Sequence, residues 1–201
     1  VSEQVTRVLA KSFQPTEFFI ERVDIVGPVA GGNLRKQGYL AMFYALLVIL
    51  VYVAIRFDTR YAPGAVIALF HDTMIVMGVF MATQKQFDLT ILAAILALIG
   101  YSNNDTIIVY DRVRETSRLH PELSIEEIVN RSMNETLGRT LMTSLTTLIV
   151  VLALWLLGGP VLENFAFALM IGIIVGAYSS IFVASPLVIL LTNYQKRRGQ
   201  R

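Results

Sequence analysis

QGYLAMFYALLVILVYVAI (37–55) carries no charge from end to end. As a helix, at about 1.5 Å per residue, it reaches across the roughly 30 Å of a bilayer's hydrocarbon core. Four more runs of this kind follow. Residues 61–84 lie between Arg60 and Lys85 and are interrupted by His71-Asp72. Residues 87–110 have Asp88 at the rim and Ser102-Asn103-Asn104-Asp105 inside. Residues 140–162 are charge-free between Arg139 and Glu163, and 164–195 are charge-free again, long enough to tilt or kink. Buried helices of soluble proteins rarely run so far uncharged. Five in succession predict an all-α membrane protein built as a bundle of five transmembrane helices.

Composition agrees. Hydrophobic residues are 55% of the 201 and charged residues 16%, against about 25% charged in a soluble domain. The net charge is only +2, and no basic patch interleaved with aromatics points to nucleic acid. The chain has no cysteine, which excludes disulfides, thiolate metal sites and a cysteine nucleophile. Its two histidines, His71 and His120, fit neither H-x-x-x-H nor H-E-x-x-H, so no metal and no cofactor are expected.

Orientation follows from the lysines and arginines beside the spans. One side holds Arg56, Arg60, Arg112, Arg114, Arg118, Arg131, Arg139, Lys196, Arg197, Arg198 and Arg201. The loops opposite hold Lys85 alone, with none in 158–164. The richer side is expected to be cytoplasmic, which puts residues 1–36 outside. Arg35 and Lys36 at that outer rim would snorkel into headgroups. The chain starts at Val1 without a Met or a signal peptide, so a further span is expected upstream.

Residues 1–36 read as the end of a periplasmic α/β domain plus linker. Val1, Val5, Val8 and Leu9 recur at helical spacing, and FFIERVDIV (18–26) has the aromatic and β-branched character of a strand. Gly27-Pro28 and Gly31-Gly32 are expected to break the structure before the membrane. Between the third and fourth spans lies a cytoplasmic loop, 111–139. Within it Ser124 and Glu127 form a capping box that starts a helix, with Ile125, Ile128 and Val129 on one face. A surface helix lying on the membrane or packed on the bundle is the expectation there. Residues 196–201 form a basic tail.

The polar residues inside the spans carry the functional signal. An ionisable group there costs at least about 2.5–3.5 kcal/mol on insertion scales. Asp105 lies about 9 Å inside the boundary marked by Asp111. Ser102 and Tyr101 share its helix face, Asn103 and Asn104 add amides to the same turn, and Gly100 would admit a neighbouring helix. Arg139, at the start of the fourth span, is the natural counter-ion, followed by the hydroxyl-rich RTLMTSLTT (139–147). His71 and Asp72 sit near mid-span. Adjacent helical residues point about 100° apart, so they are not expected to share one small site. A structural hydrogen bond is expected of His71, and a polar relay of Asp72. Gly172, Gly176, Ser180 and Ala184 form a small-residue ridge for helix packing, and Pro186 is expected to kink that helix.

Four stretches in order, RVDIVGPVAG (22–31), RFDTRYAPGAVIALFHD (56–72), GYSNNDTIIVYDRVRE (100–115) and NRSMNETLGRTLMTSLTT (130–147), resemble the SecF family. These are protein-export membrane subunits of the proton-driven RND superfamily that pair with SecD. The resemblance runs from about Arg22 to Gln195. It implies six spans, a periplasmic domain between the first two, and both termini in the cytoplasm of a bacterial inner membrane. The first span and most of that domain would lie outside the present sequence. It further implies a non-enzymatic role, proton-motive-force-coupled assistance to Sec-dependent protein translocation, with SecD, the Sec translocon channel, the translocating polypeptide and membrane lipid as partners. The family's proton path maps onto Asp105 and Arg139, with Asn104 in the same motif and Asp72 in the HD motif. Protons would be the coupling ion.

Readings from other classes are half of an RND-type small-molecule efflux pump and a structural assembly subunit of the translocon. An intramembrane aspartyl protease is excluded, because no G-x-G-D sequence is present and Asp111 lies at the rim. The charge pattern makes a topological prediction. Single cysteines at Ser117 and Gly159 should label from opposite faces of the membrane. Labelling of both from one face would overturn the assignment.

Overall fold

A computed structural model describes residues 28–56, 61–85 and 88–199. The expected helix and strand of 1–27, Arg60 and the end of the basic tail lie outside these residues. Six helices are present among the described residues: α1 Pro28–Arg56, α2 Ala62–Ala82, α3 Leu89–Leu119, α4 Ile125–Leu157, α5 Pro160–Ser179 and α6 Ser185–Gly199. A π-helical turn, Ser180–Ala184, joins α5 to α6, so those two make one rod. Five rods result, each long and apolar enough to cross a membrane, and there is no strand among the described residues.

The chain divides into two units, residues 1–37 and 38–201. Of the first, the described residues are the opening turns of α1, where Gly32, Asn33, Lys36 and Gln37 are exposed. The expected break at Gly31-Gly32 does not occur: the helix runs straight through both glycines. Glycine costs a helix about 1 kcal/mol relative to alanine, too little to stop one that continues into an apolar rod. Pro28 does stand at the helix start, where its missing N–H is harmless.

Local chemistry fixes the other ends. The Asp88 carboxylate accepts from Ile91 N at 3.0 Å and caps α3. Ser124 and Glu127 close the capping box on α4 in both directions, with Glu127 N donating to Ser124 Oγ at 3.2 Å and Ser124 N to Glu127 Oε2 at 2.9 Å. Gly159, at φ +73, turns the chain from α4 into Pro160 at the head of α5, a conformation that a side chain would resist.

The capping box does not start a separate surface helix. α4 runs unbroken from Ile125 into the fourth span, and α3 runs on past its span to Leu119, leaving a turn of only 120–124. The apolar face of that extension is packed on the bundle: Ile125, Ile128 and Val129 bury against Val109 and Val113 of α3. Ion pairs line its polar side, where Glu135 bridges Arg131, at 3.0 Å, and Arg112.

α5 is the central helix, packed along α2, α3 and α4. Its small residues permit this. A Cβ at Gly172 would collide with the Leu98 side chain, and one at Gly176 would stand 3.0 Å from Ser102 Oγ. Ser180 and Ala184 are also buried. Where the ridge ends, Pro186 cannot donate to the carbonyl four residues back, and the helix widens into the π turn just before it. Ser185 Oγ donates to Ser180 O at 2.9 Å and Tyr110 Oη to Ala184 O at 3.3 Å, so side chains bind carbonyls of the widened turn. Facing outward, Phe43, Val48, Leu141, Met142, Leu145, Ile149 and Val150 are exposed. An apolar belt of this kind suits acyl chains and would aggregate in water.

Gly64 of α2 sits under this turn. A Cβ there would lie 2.5 Å from Tyr110 Oη and 3.2 Å from Ala184 O. Gly64→Ala should therefore force α2 away from α3 and the π turn and cost about 1–3 kcal/mol by overpacking. Thermal unfolding in detergent checks this, with Gly78→Ala, where a Cβ meets open space, as the control that should stabilise by up to about 1 kcal/mol.

Candidate functional site

Two carboxylates are buried between the helices. Asp72, on α2, and Asp105, on α3, are each about 1% exposed. A carboxylate taken out of water must be given hydrogen-bond donors. For Asp72 three side chains supply contacts. Ser102 Oγ of α3 donates to Oδ2 at 2.6 Å, Ser179 Oγ of α5 donates to the same oxygen at 2.8 Å, and His71 Nδ1 lies 3.1 Å from Oδ1. The carboxylate thus clamps α2, α3 and α5 together. Gly176 lets α5 approach closely enough, since a side chain at that position would press on Ser102.

The His71 contact departs from the expectation that neighbours 100° apart cannot meet. The Cα–Cβ directions do diverge, but the ring is long enough to fold back along the helix toward Asp72. The serines of the clamp escape sequence reasoning for a different reason. Ser102 shares a face with Asp105 and looks like its partner, yet its hydroxyl goes to α2. Ser179 is hidden because it stands one position before Ser180, the residue that belongs to the small ridge.

Asp105 is held differently. Its hydrogen-bond contact is with Ser144 of α4, whose Oγ donates to Oδ2 at a long 3.5 Å. Ser144 and Thr140 are buried toward α3, and Thr140 Oγ1 and Asn103 Oδ1 are buried without a hydrogen-bond partner among the described residues. The other hydroxyls of the expected stripe turn back on their own helix. Thr143 donates to Arg139 O at 3.0 Å, Thr146 to Met142 O at 2.9 Å and Thr147 to Thr143 O at 2.9 Å. The face that meets Asp105 is therefore Thr140–Ser144. Tyr101 reaches Thr147 instead, at 3.3 Å.

Arg139 is exposed and makes no ion pair among the described residues; it is close enough to act on Asp105 through its charge without touching it. It stands in a shallow groove with Tyr52, Arg56, Ile108, Asp111 and Thr136. Asn104 faces outward, a helical step of about 100° from Asp105. Gly100 also faces outward, with no neighbour within 4 Å of an added Cβ, so it does not serve the close approach expected of it. Of the predicted residues, then, Asp72 and Asp105 both lie in the buried core on α2 and α3, Arg139 stands beside it, and Asn104 lies on the exposed side of α3. No cluster of three or more potential metal ligands occurs among the described residues.

Chemically, the arrangement offers two buried acids in different settings. One is saturated with donors and touches an imidazole. The other has one weak hydroxyl contact and, within reach of its charge, an arginine that pairs with no carboxylate among the described residues. Gain and loss of a proton is the chemistry common to both carboxyl groups.

Comparison with known proteins now bears on this geometry. Residues 4–194 match the family model for protein export membrane protein SecD/SecF, C-terminal. The chain is 48% identical over 199 residues to the protein translocase subunit SecF of Calditerrivibrio nitroreducens, covering 98% of this chain and 66% of that one. It is 47% identical over 201 residues to that of Koribacter versatilis, covering 100% of this chain and 49% of the relative. The chain thus spans about half to two thirds of these relatives' lengths. Among solved structures, SecDF from Thermus thermophilus, described as a translocon-associated membrane protein, superposes with a TM-score of 0.85 at 42% identity, over 96% of this chain and 26% of that one. SecDF in a super-membrane-facing form gives 0.82 at 39% identity, over 99% and 27%.

The Asp72 clamp makes its own prediction. Ser102→Ala and Ser179→Ala should each destabilise the bundle by about 1–3 kcal/mol, the scale of a hydrogen bond to a charged group. Because both hydroxyls serve one oxygen, the double variant should depart from additivity by more than about 0.5 kcal/mol. Thermal unfolding in detergent measures it, and the exposed Ser117→Ala should change nothing.

Proposed function

This chain belongs to the SecD/SecF C-terminal family of protein-export membrane proteins, and from that premise we propose that it is the membrane-embedded part of a proton-driven subunit assisting protein translocation. It works in a bacterial cytoplasmic membrane beside SecD and the Sec translocon channel, acting on the translocating polypeptide. Residues 111–139 and the basic tail face the cytoplasm, and the N-terminal segment faces the periplasm. It makes and breaks no covalent bond; protons are its coupling ion.

The observation that carries this reading is the setting of Asp105. It is a buried acid whose hydrogen-bond contact is a hydroxyl at 3.5 Å, with an arginine nearby that is paired to no carboxylate among the described residues. Pairing with Arg139 would stabilise the carboxylate, and withdrawal of the arginine would favour the neutral acid, because desolvation opposes an isolated charge. Alternation between the two is a switch that a proton throws. Asp72 serves as a second acid on the path, and Asn104 stands exposed in the same turn as Asp105. The driving force suffices: one charge crossing about 100 mV is worth about 2.3 kcal/mol, which biases a two-state movement by roughly fifty-fold.

Asp105→Asn keeps the size and hydrogen-bonding capacity of the side chain but cannot ionise. In the full-length subunit, reconstituted with SecD and the translocon in proteoliposomes, the wild type should export polypeptide faster under a proton gradient. The variant should assemble normally and run at the gradient-free rate in both conditions. A variant that responds to the gradient as wild type does would remove Asp105 from the path. One whose complex falls apart in detergent would make the residue a structural one and favour the assembly-subunit reading.

A further inference from the structure

We propose that His71 is the proton-exchange group of the Asp72 clamp, the point at which this buried acid receives and releases protons. The inference rests on the proton-coupled reading above and extends it to a residue outside that path.

The clamp is closed on every side but one. Oδ2 of Asp72 is occupied by the hydroxyls of Ser102 and Ser179, and the Asp72 side chain is 1% exposed. Oδ1 faces the His71 ring, and that ring is 33% exposed. The imidazole is thus the side chain that touches both the buried carboxylate and the surface of the bundle. Its depth makes that exposure informative. His71 stands nine residues after Ala62, about 14 Å along α2 and near the middle of the span. Ile67 and Met74, one turn to either side, are exposed and apolar; an ionisable ring set against acyl chains there would be expensive, so the ring needs water or a polar group of the assembled complex at its open edge.

The chemistry of the ring fits the task. Imidazole has two nitrogens on opposite sides, and protonation of one frees the proton on the other. A proton arriving at Nε2 gives an imidazolium whose Nδ1–H donates to Asp72 Oδ1. Transfer of that Nδ1 proton to Oδ1 leaves a neutral ring and a neutral carboxylic acid, and the reverse sequence releases the proton. The groups turned toward this pair are Asp72 on α2, Ser102 on α3 and Ser179 on α5. Neither serine ionises, so both steady Oδ2 without competing for the proton.

A merely positioning histidine would hold Asp72 in place through the same 3.1 Å contact, and two variants separate the roles. His71→Gln retains an amide that can hydrogen-bond Oδ1 but carries no exchangeable charge. His71→Ala leaves space beside Asp72 for free imidazole. The measurement is gradient-driven proton uptake by the full-length subunit with SecD in proteoliposomes, read with a trapped pH dye. Both variants should lower the uptake by about a hundredfold, the usual scale for loss of a positioned acid–base group. Added imidazole should restore uptake to His71→Ala and leave His71→Gln unchanged. Restored uptake also demonstrates a folded complex.

Wild-type uptake in His71→Gln overturns the proposal and leaves His71 a positioning residue. So does a His71→Ala complex that stays assembled and gains nothing from imidazole. Asp105→Asn in the same liposomes distinguishes the levels of the argument. If it abolishes uptake while His71→Gln does not, the assignment of His71 alone fails. If it conducts as wild type does, Asp105 leaves the path, and the His71 assignment stands or falls on its own two variants.

Discussion

A carboxylate in the middle of a bilayer must be surrounded by donors, and the bundle is arranged to meet that demand. Asp72 could not be sheltered by its own helix, whose backbone N–H groups are committed to the helical ladder. Its donors come from α3 and α5, which fixes how those helices stand against α2. The small residues of α5 follow from the same requirement. Gly176 has no side chain because Ser102 must reach past it, and Gly172 has none because Leu98 of α3 occupies its place. Leu98 and Ala168 belong to the apolar layer beside the polar one, with Phe80, Ile91 and Ile95. What reads along the chain as a ridge for packing is, in three dimensions, the space left for a buried acid and its donors.

The π turn belongs to the same economy of backbone groups. In water a carbonyl of a widened turn would find solvent; between helices it has to be served by protein. Ser185 and Tyr110 do so, and the Tyr110 ring is wedged between Gly64, Tyr61 and Ala184 as a result. Irregular backbone thus lies beside the carboxylate clamp, with Ser179 at the last position of regular helix before it.

How much of this could be read along the chain depends on the range of the interaction. The spans were legible because length and scarcity of charge are local properties, and five apolar rods are found where five long apolar runs occur. The capping box was legible for the same reason, since both of its residues lie within one turn. The continuity of α4 was not. Charges in 126–139 suggested a break at the membrane surface, whereas a helix needs only that its polar face stay wet, and here Glu135, Arg131 and Arg112 keep it so. At the site, depth and charge singled out Asp72 and Asp105 correctly as buried acids, because burial of an ionisable group is unusual enough to mark itself. Their partners were legible only in part: Ser102 goes to Asp72, Ser144 alone of the hydroxyls in 139–147 is hydrogen-bonded to Asp105, and Asn104 points away. Such pairings depend on how one helix is rotated against another, which no spacing within a single helix encodes. Residues 1–27, read as an α/β fragment, lie outside the described structure.

The unbroken passage of α3 and α4 through the membrane boundary makes the protruding hairpin a phase gauge for the buried layer. Ser132 Oγ donates to Thr116 Oγ1 at 3.1 Å, and Glu135 holds Arg112, all beyond the apolar core. Ser144 lies twelve residues along the same rod from Ser132, and Asp105 eleven before Thr116. Asp105 is thus about three whole turns from Thr116, and Ser144 follows Ser132 by four-residue steps through Thr136 and Thr140, all of them buried, so the outer contacts and the inner one lie along one buried stripe. One residue added between Ser132 and Ser144 would advance the inner face by about 100° while the outer contacts stayed engaged. The alignment of Ser144 on Asp105 is thus calibrated outside the lipid, by side chains that never enter it.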